Sequence, residues 1–473
     1  MLIGRKKEND ILKNALTDDQ SHFIAVYGRR RIGKTFLIRE SFGYRFTFQH
    51  AGIFEGTLKE QLFAFDASIK DAGVQPGSQS ANWAAAFEKL KDVIRNSGEK
   101  KKVIFIDELS WMDTPRSDLM RALENFWNGW ASGRKDILLI VCASATSWML
   151  SKIVHNKGGL YNRLTEQIHL DQFCLHECEE YVKSNNLTLN REQILQYYMM
   201  VGGVPYYWSF LKQGESLPQN ADRIFFADNA PLKDEFKYLY AAIFKNPDVY
   251  IRIIETLAKK KSGLTRNEII TASGLINSGE LSIKLAELES CGFIRKYSPF
   301  GKKKKDTVYQ LIDNFTLFYY QFLKDSPSDS HFWTNQINTP LVNTWMGLSF
   351  ERVCLMHIPQ IKNSLGISGI LTEANSWRCA KDSEAGLFGS QIDLMIVRRD
   401  NVINLCEMKY SNSKYTMSAA DDRSIRNKIH DLTTATGTKH AIFPTLVTTY
   451  GLVSNSCSGN IQSVVTMDSL FAL

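Results

Sequence analysis

The sequence predicts a multidomain α/β protein with a parallel-sheet domain at one end and a second α/β domain at the other. Three observations carry this. The chain has 473 residues, which at about 150 residues per domain corresponds to roughly three domains. Short apolar runs at 23–27, 45–49, 103–106 and 137–142 alternate with amphipathic stretches, the rhythm of βαβ units and a parallel sheet. The same alternation returns near the C-terminus, with a helix over 341–357 and strands over 391–397 and 402–409. A composition of 44 % apolar and 23 % charged residues, with only 11 prolines, excludes extensive disorder.

Residues 1–170 hold the first α/β domain, and 171–247 are helical and aromatic-rich around a Gly202-Gly203-Val204-Pro205 break. Residues 248–325 read as three helices and a two-stranded ribbon, and 334–473 form the last α/β segment, with Ser326-Pro-Ser-Asp-Ser330 as linker. No internal repeat is apparent. The eight cysteines lack paired spacing and lie mostly in apolar runs, as reduced core thiols do. Cys174-x-His176-x-Cys178 lacks the second ligand pair that a zinc site needs. No apolar stretch approaches a membrane span, and the N-terminus is charged where a signal peptide is apolar, so a cytoplasmic location without membrane partners is expected.

The run 23–27 leads directly into Gly28, Arg29, Arg30, Arg31, Ile32, Gly33, Lys34 and Thr35, followed by helical spacing. This is G-x-x-x-x-G-K-T, a P-loop, in its strand-to-helix context. Its backbone amides and the helix N-terminus suit phosphate. Lys34 is placed to reach the β- and γ-phosphates of ATP, and Thr35 to hold Mg²⁺. Lys102-Val-Ile-Phe-Ile-Asp107-Glu108 delivers two carboxylates at a strand's C-terminal end, where parallel sheets bind ligands. There Asp107 would complete the Mg²⁺ shell and Glu108 would polarise the attacking water. Arg29, Arg30 and Arg31 either touch phosphate or are solvated.

These residues, with Ile3-Gly4-Arg5-x-x-Glu8, Leu160-Tyr161-Asn162-Arg163 and Gly202-Gly203-Val204-Pro205, resemble the archaeal-type ATPases of the AAA+/STAND group. The resemblance implies that Ser144 senses the γ-phosphate, that Arg163 stabilises charge within its own subunit or across an oligomer interface, a surface ion pair being the alternative, and that the Gly-Gly-Val-Pro segment belongs to a helical lid closing over the adenine. Asn162 stands where family members usually have Gly.

Residues 248–312 contain 12 Lys and Arg against 7 acids, so +5 of the chain's +7 lies in this one segment. Thr265-Arg-Asn-Glu268 is a capping box opening the second helix. The pattern resembles a winged helix with the basic wing Lys302, Lys303, Lys304 and Lys305 at its tip. Its third helix carries Glu280, Glu287 and Glu289 but only Lys284, poor chemistry for reading a groove. DNA is therefore expected as a partner mainly through the wing, independently of sequence and with strong salt dependence, the alternative being a winged helix that docks protein.

In the last segment Asp393, Glu407 and Lys409 interrupt apolar strands, and alternation puts Glu407 and Lys409 on one face. Two such carboxylates can hold Mg²⁺, while a lysine beside them orients or deprotonates the water that attacks a phosphodiester. Glu351, on the preceding helix, would supply a third acid. The set resembles the PD-(D/E)xK nuclease superfamily, particularly the nuclease-like domain fused to archaeal-type ATPases and related to Holliday-junction resolvases. That implies a restriction-endonuclease-like C-terminal fold, in which Glu351, Asp393, Glu407 and Lys409 are the catalytic set. Gln391 would orient metal-bound water, and Arg423-Ser-Ile-Arg426-Asn-Lys428 has helical spacing that brings basic groups to the scissile backbone.

The combined expectation is an ATP-dependent DNA-processing or defence enzyme with a Mg²⁺-dependent nuclease. The alternative is a non-cutting STAND-type switch whose C-terminal domain only recognises nucleic acid or protein. A metabolic kinase leaves the basic segment unexplained.

Overall fold

The computed structural model describes residues 2–75, 77–156, 158–244, 246–301, 306–325 and 329–473. The chain forms two compact units, Met1–Gln172 with Ala242–Lys245, and Phe173–Ala241 with Asn246–Leu473.

The first unit is built on a five-stranded parallel sheet of β1 (His22–Tyr27), β2 (Phe48–Ala51), β3 (Lys102–Asp107), β4 (Ile137–Ala143) and β5 (Glu166–His169), in the order β2-β3-β4-β1-β5. All seven residues of β4 are buried, because helices cover both faces of such a sheet and leave no polar side to the strand. Alternate residues go to opposite faces. Phe23, Ala25, Ile104, Ile106, Leu139 and Val141 pack with Phe65, Trp83 and Phe87; Ile24, Val26, Phe105, Leu138 and Ile140 pack with Leu12, Leu37 and Ile38. The second strand lies a few residues later than the 45–49 expected from the apolar run. Arg45 is exposed, and parallel pairing with β3 starts only at Phe48↔Ile104. Since β3, β4 and β1 are neighbours, the loops leaving their C-terminal ends converge.

In the second unit, helices Leu175–Ser184 and Arg191–Val201 precede the Gly-Gly-Val-Pro turn. A Cβ on Gly203 would lie 1.8 Å from the Phe173 carbonyl oxygen, and Phe173 N donates to Gly203 O at 2.7 Å. That close approach admits only glycine. Gly203→Ala is expected to lower the stability of this unit by about 1–3 kcal/mol, read by urea unfolding.

Helices Pro247–Ala258, Arg266–Ser273 and Gly279–Ser290 follow, with an antiparallel sheet of β6 (Leu264–Thr265), β7 (Ile294–Tyr297) and β8 (Val308–Leu311) in the order β6-β8-β7. Thr265 and Glu268 form the expected capping box. The basic tip Lys302 to Lys305 lies outside the described residues.

The C-terminal segment opens with helix Pro340–Met356. Its five-stranded mixed sheet comprises β9 (Thr372–Arg378), β10 (Gln391–Arg398), β11 (Val402–Lys409), β13 (Ala441–Thr448) and β15 (Ser463–Thr466), in the order β15-β13-β11-β10-β9. Short strands β12 (Tyr415–Thr416) and β14 (Leu452–Val453) pair separately. β11 and β13 run parallel, so the chain must cross over between them, and it does so through helix Ala419–Thr436.

These segments are tied to one another. Asp222 accepts from Trp333 N at 2.7 Å, Arg191 pairs with Asp468 at 2.9 Å, and Tyr450 donates to Glu192 at 2.7 Å. Buried His357 accepts from Leu175 N through Nε2 at 3.1 Å, satisfying one of the amides that a helix N-terminus leaves unpaired. Its Nδ1 donates to Val353 O at 2.8 Å. Burial lowers its pKa from 6.5 to about 4. The unfolded chain therefore takes up this proton first as pH falls. The contribution is complete above pH 6.5 and is lost toward pH 4, by about 3 kcal/mol. His357→Asn is expected to flatten that part of the pH dependence in urea unfolding; an unchanged profile would contradict the assignment.

Candidate functional site

The P-loop follows β1 and ends in helix Lys34–Ser41, with Gly33 at its N-cap. At Gly28 (φ 143°) a Cβ would lie 2.3 Å from the Leu170 carbonyl oxygen, so the loop can only press this close to the end of β5 without a side chain. Ile32 is buried in the core beside Ile24 and Leu37 and anchors the loop from below. Arg29 is buried, while Arg30 and Arg31 are half-buried.

The convergence of the three loops brings five expected residues into one hydrogen-bonded network. Buried Lys34 donates through Nζ to Gly28 O and Arg29 O, both at 2.9 Å, and to Ser144 Oγ at 3.0 Å. Ser144 Oγ in turn donates to Glu108, whose other carboxylate oxygen accepts from Ser144 N at 3.0 Å. Thr35 Oγ1 donates to Asp107 Oδ2 at 2.6 Å. Glu108 has a left-handed backbone (φ 47°), which costs a non-glycine residue on the order of 1 kcal/mol. That conformation aims its carboxylate across the strand ends at Ser144.

Arg163 is exposed and lies outside this network among the described residues. The preceding Asn162 has φ 52°, a conformation that asparagine tolerates better than most residues, which explains how it stands in for glycine. Buried Arg5 donates to Asp171 O. The Ile-Gly-Arg motif thus fastens the N-terminus to the end of β5.

A second constellation lies in the C-terminal sheet. Extending the register Leu394↔Cys406 by one residue sets Asp393 on β10 opposite Glu407 on β11. The pairing of β10 with β9 shifts between Ile392 and Met395. Asp393 lies within this irregular stretch, and Gln391 Nε2 donates to it at 2.6 Å. Glu351 stands on helix Pro340–Met356. Burial, reinforced by the negative charges of Asp393 and Glu407 and opposed by Arg352, pushes its carboxyl up to about 7. For Glu407 burial also acts upward, but Lys428 and Lys409 outweigh it and hold the carboxyl below its ordinary value. Lys409 lies 3.1 Å and Lys428 2.6 Å from the Glu407 oxygens.

Among the described residues, no three His, Cys, Asp or Glu side chains are grouped closely enough to hold a metal ion. Asp393 with Glu407, and Asp107 with Thr35, would each offer two protein ligands. Mg²⁺ is commonly held by one or two carboxylates, with water and phosphate filling the shell, so these residues fit that ion.

Three basic residues at the C-terminal site are not apparent from the D-x13-E-x-K pattern. Lys428 is one. Arg352 is buried beside Glu351 and Asp393 and donates to Lys261 O at 2.6 Å. Arg295, from β7 of the helix-and-ribbon segment, is held below its ordinary pKa by burial, partly offset by Tyr297 and Asp393. The chain beyond β7 also docks here, with Phe300 N donating to Ser376 O at 3.0 Å and the Phe300 ring packing beside Trp377. On the third helix, Lys284 is committed to Glu280 at 3.1 Å and stacks 4.6 Å over the Tyr250 ring.

Comparison with known proteins bears on the region that holds the P-loop. The model of a family of ATPase domains found predominantly in Archaea matches residues 2–209. An uncharacterized protein of Methanocaldococcus jannaschii is 24 % identical over 440 residues, 91 % of this chain and 91 % of that protein. A second protein of that organism, described as an uncharacterized ATP-binding protein, is 40 % identical over 40 residues, 8 % of this chain and 68 % of that one. Among solved structures, a Walker-type ATPase of Pyrococcus abyssi is 16 % identical, with 67 % of this chain and 95 % of that chain covered at a TM-score of 0.49. Residues 2–209, with the P-loop on a parallel sheet, therefore constitute an archaeal-type ATPase domain.

Proposed function

We propose that this is an ATP-hydrolysing, DNA-binding protein whose C-terminal domain is a Mg²⁺-dependent nuclease acting in DNA processing or defence. The observation that supports the nuclease reading is that adjacent strands bring Asp393 opposite Glu407, with Lys409 3.1 Å from Glu407, and that the charges of both acids raise the pKa of Glu351 on the preceding helix.

At the P-loop, Lys34 would exchange its loop carbonyls for the β- and γ-phosphates, and Thr35 with Asp107 would hold Mg²⁺. Glu108 accepts the proton of the attacking water, and Ser144, bonded to both Lys34 and Glu108, reads the γ-phosphate. Arg163 is exposed and so is available to a nucleotide in a neighbouring subunit of a homo-oligomer. At the C-terminal site Asp393 and Glu407 would hold Mg²⁺, Glu351 would supply the third acid, and Lys409 with Lys428 keeps the Glu407 carboxyl below its ordinary pKa. Bound Mg²⁺ supplies charge neutralisation at phosphate and a more acidic water.

DNA binding rests on the +5 balance of 248–312. On the third helix Lys284 is paired with Glu280 and Glu289 with Lys296 of β7, so sequence-independent phosphate contact through the wing fits best. A second reading, the non-cutting switch, is favoured by one observation: Arg295 and Phe300 seat the ribbon against β9 and Asp393. The test is incubation of the full chain with branched, single-stranded and duplex DNA in Mg²⁺, with and without ATP. Cutting by the wild type that Asp393→Ala abolishes supports the nuclease. No cutting of any substrate supports the switch, and cutting unaffected by Asp393→Ala places the active site elsewhere.

A further inference from the structure

A cavity of about 260 Å³ opens where three parts of the second unit meet. Its walls come from the end of helix Pro247–Ala258 and the turn after it, from residues 311–324, and from helix Pro340–Met356. None of Glu351, Asp393, Glu407 and Lys409 lines it. Leu257, Leu311, Leu317, Trp345 and Leu348 give it an apolar lining. Trp345 is held there by edge-on contacts with Phe318, Phe322 and Trp333, at centroid distances of 5.5, 5.4 and 5.8 Å, so this wall is already formed.

The charged groups around the apolar lining are nearly all cationic. Lys259, Lys260, Lys261, Lys324 and Arg352 stand against one acid, Glu255, and Lys324 already neutralises that acid at 2.5 Å. Lys259, Lys260 and Lys261 are exposed and form no ion pair among the described residues. Arg352 differs from them in being only 5 % exposed. A guanidinium carries several N–H donors, yet among the described residues Arg352 gives a single hydrogen bond, to Lys261 O at 2.6 Å. Glu351 and Asp393 act on it only at a distance, and neither forms an ion pair with it.

A buried cation left without a partner destabilises a fold. A residue kept at that cost beside an apolar cavity is suited to recognising a ligand. Arginine presents parallel donors that match the oxygens of a carboxylate or a phosphate. The cavity is a little smaller than the roughly 300–1,000 Å³ typical of drug-sized sites, so it takes a compact body. A phosphodiester backbone offers no apolar group to set against Leu257, Trp345 and Leu348.

We propose that this cavity binds a small aromatic anion, a carboxylate or phosphate monoester whose ring lies against Trp345 and whose charged group pairs with Arg352. Bound there, the anion bridges helix Pro340–Met356 to the turn at Lys259 to Lys261, and so braces the helix-and-ribbon segment against the C-terminal domain. The proposal does not depend on whether that domain cuts DNA.

The test is isothermal titration of the full chain with naphthyl phosphate, naphthoate, neutral naphthamide and inorganic phosphate, beside thermal unfolding of each protein with and without each probe. The proteins are wild type, Arg352→Met, Arg352→Lys and Leu348→Trp, the last filling the cavity without touching the charge. Wild type is expected to bind at least one of the two naphthyl anions, to melt at a higher temperature with it, and to prefer it at least about tenfold over naphthamide and over inorganic phosphate. Arg352→Met and Leu348→Trp should each weaken that binding about tenfold or more, and Arg352→Lys should recover part of the loss. Should Arg352→Met fail to fold, Leu348→Trp still decides the matter. The proposal is overturned if neither anion binds, if folded Arg352→Met or Leu348→Trp binds as wild type does, or if naphthamide or inorganic phosphate binds as tightly as the anions. Displacement of a bound naphthyl anion by duplex DNA would also overturn it and assign the cavity to nucleic acid.

Discussion

Lys34→Ala is expected to lower the affinity for ATP at least about 30-fold, since truncating one partner of a buried charged contact costs roughly 2–5 kcal/mol and each 1.4 kcal/mol is a factor of ten. The lysine is only 5 % exposed and already donates to two loop carbonyls and Ser144 Oγ. Its ammonium therefore sits in the P-loop before nucleotide arrives. Alanine removes the charge that phosphate needs and also the donor that holds Gly28 and Arg29, so some loosening of the loop should accompany the loss. Isothermal titration with ATP measures the affinity, and thermal unfolding separates it from misfolding. An affinity within a few-fold of wild type would mean that the loop does not hold triphosphate through Lys34.

Glu351→Gln is expected to act in the opposite sense on stability. The folded-state pKa of Glu351 is raised from 4.5 to about 7. A carboxyl raised on folding contributes no penalty below its unfolded value. Stability is lost as pH rises from 4.5 to 7, because the charged form is then imposed on a buried site beside Asp393. The difference amounts to about 3 kcal/mol above that window. Glutamine cannot ionise, so in EDTA at pH 8 the variant should unfold at higher urea than wild type, and near pH 4.5 the two should agree. A variant less stable than wild type at pH 8 would show that the ionised carboxylate is well paired in the metal-free protein. The cost itself accords with a site adapted to a cation: stability is sacrificed where two acids must stay close.

Much of the ATPase domain is legible from local sequence. The P-loop is contiguous, the buried strands announce themselves as apolar runs, and Asp107-Glu108 at a strand end needs only the rule that ligands gather at carboxyl ends. The capping box at Thr265 is equally local. What is not legible depends on packing between distant segments. Lys428 reaches Glu407 only because a crossover helix lies against the sheet. Arg295 approaches Asp393 only because the ribbon docks at the sheet edge, and His357 reaches Leu175 across 182 positions of sequence. No periodicity encodes such meetings. The second strand was displaced by a few residues for a related reason, since its limits follow pairing with β3 rather than its own apolar content. Motif resemblance marked Ser144 and Arg163 alike, but only Ser144 enters the network.

The most direct test of the account is ATP turnover by Glu108→Gln measured beside ATP binding in the same preparation. Glutamine keeps the size and an acceptor for Ser144 N but cannot take a proton from water. The account predicts binding within about threefold of wild type and turnover lowered by at least about 100-fold, the scale of a lost general base. Turnover equal to wild type would contradict it and remove Glu108 from the chemistry.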